Sequence, residues 1–258
     1  MADRGASEVL SFTLVFVIIL TSIVFVSVSG VQTLQDARDA EQLNNAERAF
    51  DVLSANMADI YQRGAPSRAT EISLQGVELY TGDNVTINVT ATDGPSGDVT
   101  VTRAVRPLVY EAGDGRRLVY EGGAVFRTQR DGGLVVRDPP LVVQSDRVLV
   151  PIVATVSPGK TSVGGSTALV RADMVETAVP IAETDDSSSD DDYDEVYINV
   201  TSPRRNHWET ALEAEGFGNC IRGTDANDDP FVRCTLDSGI SPERLLVPAY
   251  DIALDIER

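Results

Sequence analysis

The alternation of apolar and polar positions divides the chain into stretches of different period. Val9–Ser29 is a run of 21 residues without a charge. That suffices for one helix across a bilayer core, which needs ~20 apolar residues to span ~30 Å. From Val31 to Tyr61 there is neither proline nor glycine, and Leu43, Ala46, Phe50, Leu53, Met57 and Ile60 recur at spacings of three and four. This is an apolar stripe on a helix whose other faces carry Asp, Glu, Arg and Asn. Arg63-Gly64-Ala65-Pro66 supplies the stop. The pattern predicts one continuous helix from Val9 to Gln62, about 80 Å long at 1.5 Å per residue. Its stripe can pack on the protein's own sheet or on other subunits.

After Pro66 the period changes to two. Asn84–Thr90 alternates strictly, so Val85, Ile87 and Val89 share one face. Further strands are expected at Glu71–Tyr80, Val99–Val105, Leu108–Glu111, Arg117–Glu121, Ala124–Thr128, Leu134–Arg137, Val148–Val156 and Ala168–Val179. Gly-Asp-Gly at 113–115 and Asp-Gly-Gly at 131–133 read as tight turns between them. Many short strands joined by such turns indicate an antiparallel sandwich or a partly open barrel. Glu183–Glu195 is an acidic, serine-rich linker or loop. Strand Val196–Val200 follows, then a helix expected to open with Ser202 as N-cap and Pro203 as its first residue and to close at Gly216. Strands around Cys220 and Cys234 and over Leu245–Ile256 finish the chain. This last α+β portion either adds to the sandwich or completes it.

Composition sharpens this picture. The chain carries 25 Asp and 15 Glu against 20 Arg, and Lys160 is its single lysine. Nucleic acid is not expected as a partner, because phosphate binding needs the opposite sign. A net charge of −19 repels itself in dilute buffer. In molar salt the Debye length falls to ~3 Å and the carboxylates stay solvated without that repulsion. High Asp and Arg with almost no Lys resemble a haloarchaeal protein. Cys220 and Cys234 either pair, which in an exported domain would constrain the unfolded chain by ~3 kcal/mol, or stay as buried thiols.

The anchor orients itself weakly through Arg4, the one basic residue ahead of the span, while Asp36, Asp39 and Glu41 outweigh Arg38 after it. This favours a cytoplasmic N-terminus and an exported body. A secretory signal would be cut near Ser27-Val28-Ser29, although its apolar core would then be long. The alternatives are an uncleaved anchor and a cut ahead of the apolar run. For the last, Arg4-Gly5-Ala6-Ser7-Glu8-Val9-Leu10 resembles the class III signal of archaeal type IV pilins and archaellins. In that family a membrane aspartyl protease cuts after the glycine and leaves the helix on the mature protein. The resemblance makes Arg4 and Gly5 the processing residues and Ala6 the new N-terminus. It makes Glu8 the acid that neutralises a neighbouring subunit's terminal amine during assembly. Glu8 would be the third mature residue, whereas bacterial pilins carry this acid at the fifth. Leu108–Pro140, with Tyr120-Glu121-Gly122-Gly123-Ala124-Val125-Phe126 and Pro139-Pro140, also resembles the bodies of uncharacterised haloarchaeal pilin-like surface proteins.

Candidate chemistry is sparse. His207 is the lone histidine, and no nucleophile motif accompanies it, so it reads as structural. Asp225-x-Asn227-x-Asp229 matches the first ligands of a calcium loop, but Pro230 and Leu236 stand where the glycine and the bidentate glutamate belong. It therefore reads as an acidic hairpin tip. Three N-glycosylation sequons begin at Asn84, Asn88 and Asn199, the first two on the polar face of their strand. No enzyme activity, metal or cofactor is expected.

The expectation is an α+β protein: a leader (1–5), a membrane-spanning and stalk helix (6–63), a mainly antiparallel, sandwich-like extracellular domain (67–182), an acidic linker (183–195) and a small α+β portion (196–258). The resemblance implies a single-pass protein of the cell membrane, a minor or accessory subunit of a type IV pilus-like filament. Membrane lipid, a prepilin peptidase and other pilin-like subunits would be its partners. The alternative is a non-polymerising anchored binding, adhesion or envelope protein.

Overall fold

The computed structural model describes residues 3–94, 97–112, 115–129, 132–157, 161–184, 195–240, 242 and 244–258. Helix α1 spans Asp3–Arg63. It closes where the sequence placed the stop. The Gly64 N–H donates to the Ile60 carbonyl and the Ala65 N–H to that of Asp59, with Gly64 at φ 71°. That left-handed position costs a glycine nothing and lets the turn satisfy the helix's last carbonyls.

The chain divides into two compact units, Met1–Asn44 and Asn45–Arg258. In the first, the side chains of Val9–Val28 are all exposed. The hydroxyls of Thr13, Thr21 and Ser22 each donate to the carbonyl four residues back, at 2.8 Å. These three hydroxyls are thus satisfied inside the helix, as a bilayer core demands. α1 is the one helix among the described residues long and apolar enough to cross a membrane.

The second unit begins with the outer end of α1. The strands follow as β1 (Ser67–Ser73), β2 (Glu78–Thr81), β3 (Val85–Gly94), β4 (Gly97–Val105), β5 (Leu108–Glu111), β6 (Arg117–Glu121), β7 (Ala124–Gln129) and β8 (Gly132–Arg137). Then come β9 (Val142–Val143), β10 (Arg147–Leu149), β11 (Ile152–Val156), β12 (Ser162–Gly164), β13 (Thr167–Thr184) and β14 (Glu195–Thr201). Helix α2 (Arg205–Ala214) precedes β15 (Phe217–Thr224), β16 (Pro230–Leu236) and β17 (Arg244–Glu257). Three sheets result: β1-β13-β17-β10-β9 with β11 also on β17, then β12-β2-β5-β6-β7-β8, then β15-β16-β14-β3-β4. β14 and β16 pair with β3 and with each other, and β17 pairs with β13, so residues 196–258 share sheets with 67–182. Residues 185–194 of the acidic run, and 113, 114 and 131 of the expected turns, lie outside the described residues.

The fold is α+β, with a long N-terminal helix, a mostly antiparallel β domain and a small C-terminal helix. Three expectations need correction. Glu71–Tyr80 is two strands, broken at Gln75-Gly76, both at positive φ (48° and 91°). Val148–Val156 is broken at Pro151, which has no N–H to give a ladder. Its two halves, β10 and β11, both run parallel to β17, a departure from the antiparallel rule. Finally, α2 starts at Arg205 rather than Pro203.

The stripe on the outer end of α1 packs on the body's own sheets. Ala46, Phe50, Leu53, Met57 and Ile60 are buried. Phe50 meets Tyr110 of β5 edge-on at 6.4 Å between ring centroids, and Tyr61 meets Tyr250 of β17 at 5.6 Å. Glu47 accepts from Arg127 of β7 at 3.0 Å, and Asn56 donates to the Thr70 hydroxyl of β1 at 2.9 Å. A second core joins all three sheets to α2. Ile87, Val89, Phe126, Ile198, Trp208, Leu212, Val232, Leu245 and Val247 lie within it.

Candidate functional site

The N-terminal candidates belong to α1 by backbone, but the side chains of Arg4, Gly5, Ala6 and Glu8 lie outside the described residues. The other candidates converge on the third sheet and the turn that leads into α2.

Cys220 and Cys234 form a disulfide between β15 and β16. Cys234 faces the core, while Cys220 sits in the β-bulge between Gly218 and Ile221. The bulge is what lets a cysteine on an edge strand turn to meet its partner. The hairpin tip beyond the bridge is Asp225–Asp229. One Asp225 carboxylate oxygen accepts the N–H groups of Asn227 (2.8 Å) and Asp229 (3.0 Å). Those bonds shape a turn, with Asp228 at φ 63°, so the calcium-like spacing serves the hairpin. Glu209, Glu213 and Cys220 bring ligand-type atoms within 4.8 Å of one another. That sulfur is committed to the disulfide, and Glu209 is paired with Arg222.

The sequon asparagines separate sharply. Asn84 is exposed in the loop before β3. Asn88 and Asn199 are half-buried and stand directly opposite each other in the β3–β14 register, and both strands are interior to their sheet. Their amide oxygens are sealed from solvent and have no hydrogen-bond partner among the described residues. Asn84 borders a polar cleft of about 420 Å³ whose walls include Thr86, Thr201, Asp225, Asn227 and Asp229.

Sequence reasoning missed a buried carboxylate with three donors. Glu121, at the end of β6, is fully buried. Its carboxylate accepts from the Ser202 hydroxyl (2.7 Å), Trp208 Nε1 (2.7 Å) and Arg204 Nε (2.6 Å). A buried carboxylate is tolerable only with such pairing. This explains the late start of α2. The Ser202 hydroxyl is spent on Glu121 and on accepting the Arg204 N–H at 3.0 Å, so it closes the turn ahead of the helix. Gly122 and Gly123, at φ 61° and 91°, make the two-residue β6–β7 turn beside it. A Cβ on Gly122 would lie 2.7 Å from Ile87 Cδ1 and 3.0 Å from Trp208 Cη2. A glutamate followed by two glycines and an apolar strand was the available signal for this knot.

His207 stacks near Phe126 at 5.7 Å, and neither ring nitrogen has a partner among the described residues. Burial, then the Arg204 charge, lowers its pKa and favours the neutral ring. Cys220 is disulfide-bonded and Ser202 serves Glu121, so neither is a nucleophile aligned on this imidazole. On the second sheet, the Tyr80 hydroxyl donates to Glu111 at 2.8 Å and Arg117 donates to the other Glu111 oxygen at 2.9 Å. Arg117, opposed in part by burial, holds Glu111 below the usual carboxylate range. Burial and the Glu111 charge push Tyr80 up to about 12.

The described residues thus include a helix of membrane-spanning length, a disulfide-bonded hairpin and a buried carboxylate with three hydrogen-bond donors. No curated protein matches the chain. Residues 4–255, covering nearly all of α1 and the β domain, match the family of unknown function DUF7289, and the chain belongs to that family.

Proposed function

We propose that this protein is a pilin-like surface protein, a minor or accessory subunit of a type IV pilus-like filament in a haloarchaeal cell membrane. The carrying observation is the division of labour along α1. One stretch exposes apolar side chains throughout, and the outer end buries its stripe in the β domain. A subunit that waits in a membrane and then joins others through its helix needs such an exposed run, with a body fastened to the far end of the same helix. The Arg4-Gly5-Ala6 leader and Glu8 supply processing and assembly in this reading, with a prepilin peptidase and other pilin-like subunits as partners. The body would face outward, where the Cys220–Cys234 bridge is chemically stable. The reading gives the protein no catalytic step.

Mass spectrometry of the mature N-terminus tests it. A start at Ala6 supports the reading, and a start near Gly30 overturns it. Glu8→Ala should leave the protein in the membrane but remove it from sheared filaments. An unchanged filament yield would reject the assembly role. A membrane-only pool in both proteins, with normal processing at Ala6, would support instead a non-polymerising anchored binding, adhesion or envelope protein.

A further inference from the structure

The three sequons look equivalent in the sequence and are unlike in space. We propose that Asn84 is the N-glycan acceptor of the folded protein, that the first sugars of the glycan lie in the cleft beside it, and that Asn88 and Asn199, opposed on interior strands, both stay unmodified. The inference rests on the outward placement of the body proposed above.

Three observations carry it. Asn84 is exposed and lies outside any strand, so its backbone can adapt to a transferase. Thr86, which completes the sequon, faces the same cleft. Asn88 and Asn199 sit opposite each other on interior strands, each held by ladders on both sides. Opposed Cβ atoms in an antiparallel pair stand about 4.5–5.5 Å apart. One linked sugar would cover the other asparagine, and both amide oxygens are already sealed from solvent.

The cleft offers the chemistry that holds a sugar. Thr86, Thr201, Asn227 and Asp229 line it, residues whose side chains carry hydroxyl, amide and carboxylate groups. Its volume of about 420 Å³ falls within the range of small-ligand clefts. The donor would be a glycan carried on a polyprenyl phosphate. The Asn84 amide nitrogen attacks the anomeric carbon, forming the N–C bond, while the bond from that carbon to the phosphate oxygen breaks. The phosphate leaves with the electron pair, and the amide proton passes to a base of the transferase.

The test uses the full chain with its anchor, produced in an archaeal host that N-glycosylates its exported proteins. Glycopeptide mass spectrometry should find a glycan at Asn84 and none at Asn88 or Asn199. Asn84→Gln and Thr86→Ala should each abolish the glycan mass, and Thr86→Ala keeps the asparagine should the first variant fold poorly. Asn88→Gln and Asn199→Gln should leave it unchanged. A glycan on Asn88 or Asn199, or a bare Asn84, overturns the proposal. Protease shaving of intact cells separates the causes. A shaved but unglycosylated body sinks this inference alone, whereas a protected body sinks the outward placement together with it.

Discussion

Phenylalanine occurs at both ends of α1 with opposite fates. Phe12 and Phe25 are 71% and 74% exposed, while Phe50 is 0% exposed. The residue type, the helix and its hydrogen bonding are the same. What differs is the solvent each stretch requires. The inner run presents apolar groups on every side and needs a medium as apolar as itself. The outer end confines them to one stripe, which the second unit's own sheets cover. Hydrophobicity therefore does two jobs on one helix, and the width of the apolar face separates them.

The comparison breaks most visibly if the units are parted. Residues 45–258 should fold as a soluble monomer in high-salt buffer, whereas the full chain should need detergent. Size-exclusion chromatography with and without detergent reads this, and aggregation of the shortened chain would show that the body's covering is incomplete. Next in size is Phe50→Ala, which should destabilise the body by about 3–5 kcal/mol through the cavity it leaves under Tyr110. Phe12→Ala should leave the body's unfolding midpoint unchanged. Equal effects in thermal unfolding would erase the distinction between the two ends.

A buried polar knot should behave like the buried end of the helix. Glu121→Ala strands Arg204 and the Trp208 N–H, and is expected to cost about 3–5 kcal/mol in denaturant unfolding. A loss below about 1 kcal/mol, the range of exposed ion pairs, would mean the site is wet. Reducing the Cys220–Cys234 bridge should cost about 2–4 kcal/mol, read as a lower midpoint with reductant present.

The smallest effect belongs to the half-exposed Tyr80–Glu111–Arg117 group. Glu111 titrates below its ordinary value. Its contribution is therefore present above that value and lost as pH falls through the lowered one. Tyr80 is raised, so its contribution is full below its ordinary pKa of 10.0 and is lost as pH rises towards about 12. Arg117→Gln should shift the acid unfolding midpoint slightly upward. No shift, or a downward one, would show that the ion pair is screened.

Local features were the legible ones. β5 and β6 have the boundaries their apolar content predicts, because neighbouring turns delimit them. The helix stop at Gly64 and the pairing of the cysteines were open to the same kind of reading. The breaks at Gln75-Gly76 and Pro151 had signals in the residues themselves, which the longer apolar context hid. The parallel addition of β10 and β11 to β17 had none, since pairing direction depends on partners 97 residues later in the chain. Ser202 is expected as the N-cap of α2, but Arg204 holds that place and the Ser202 hydroxyl bonds Glu121. Nothing near it in the sequence announces that Glu121 will arrive from 81 residues away.

By itself, the order of residues determined where the chain is apolar on all sides, where it is striped and where it alternates, because periodicity is a property of neighbours. It thereby determined a membrane-length helix, its amphipathic continuation and most of the strands. Only the tertiary structure decided which stripe is covered, which carboxylate is buried, and which asparagines face each other. Those outcomes depend on distant segments meeting at one place, where burial, register and hydrogen bonding are set jointly.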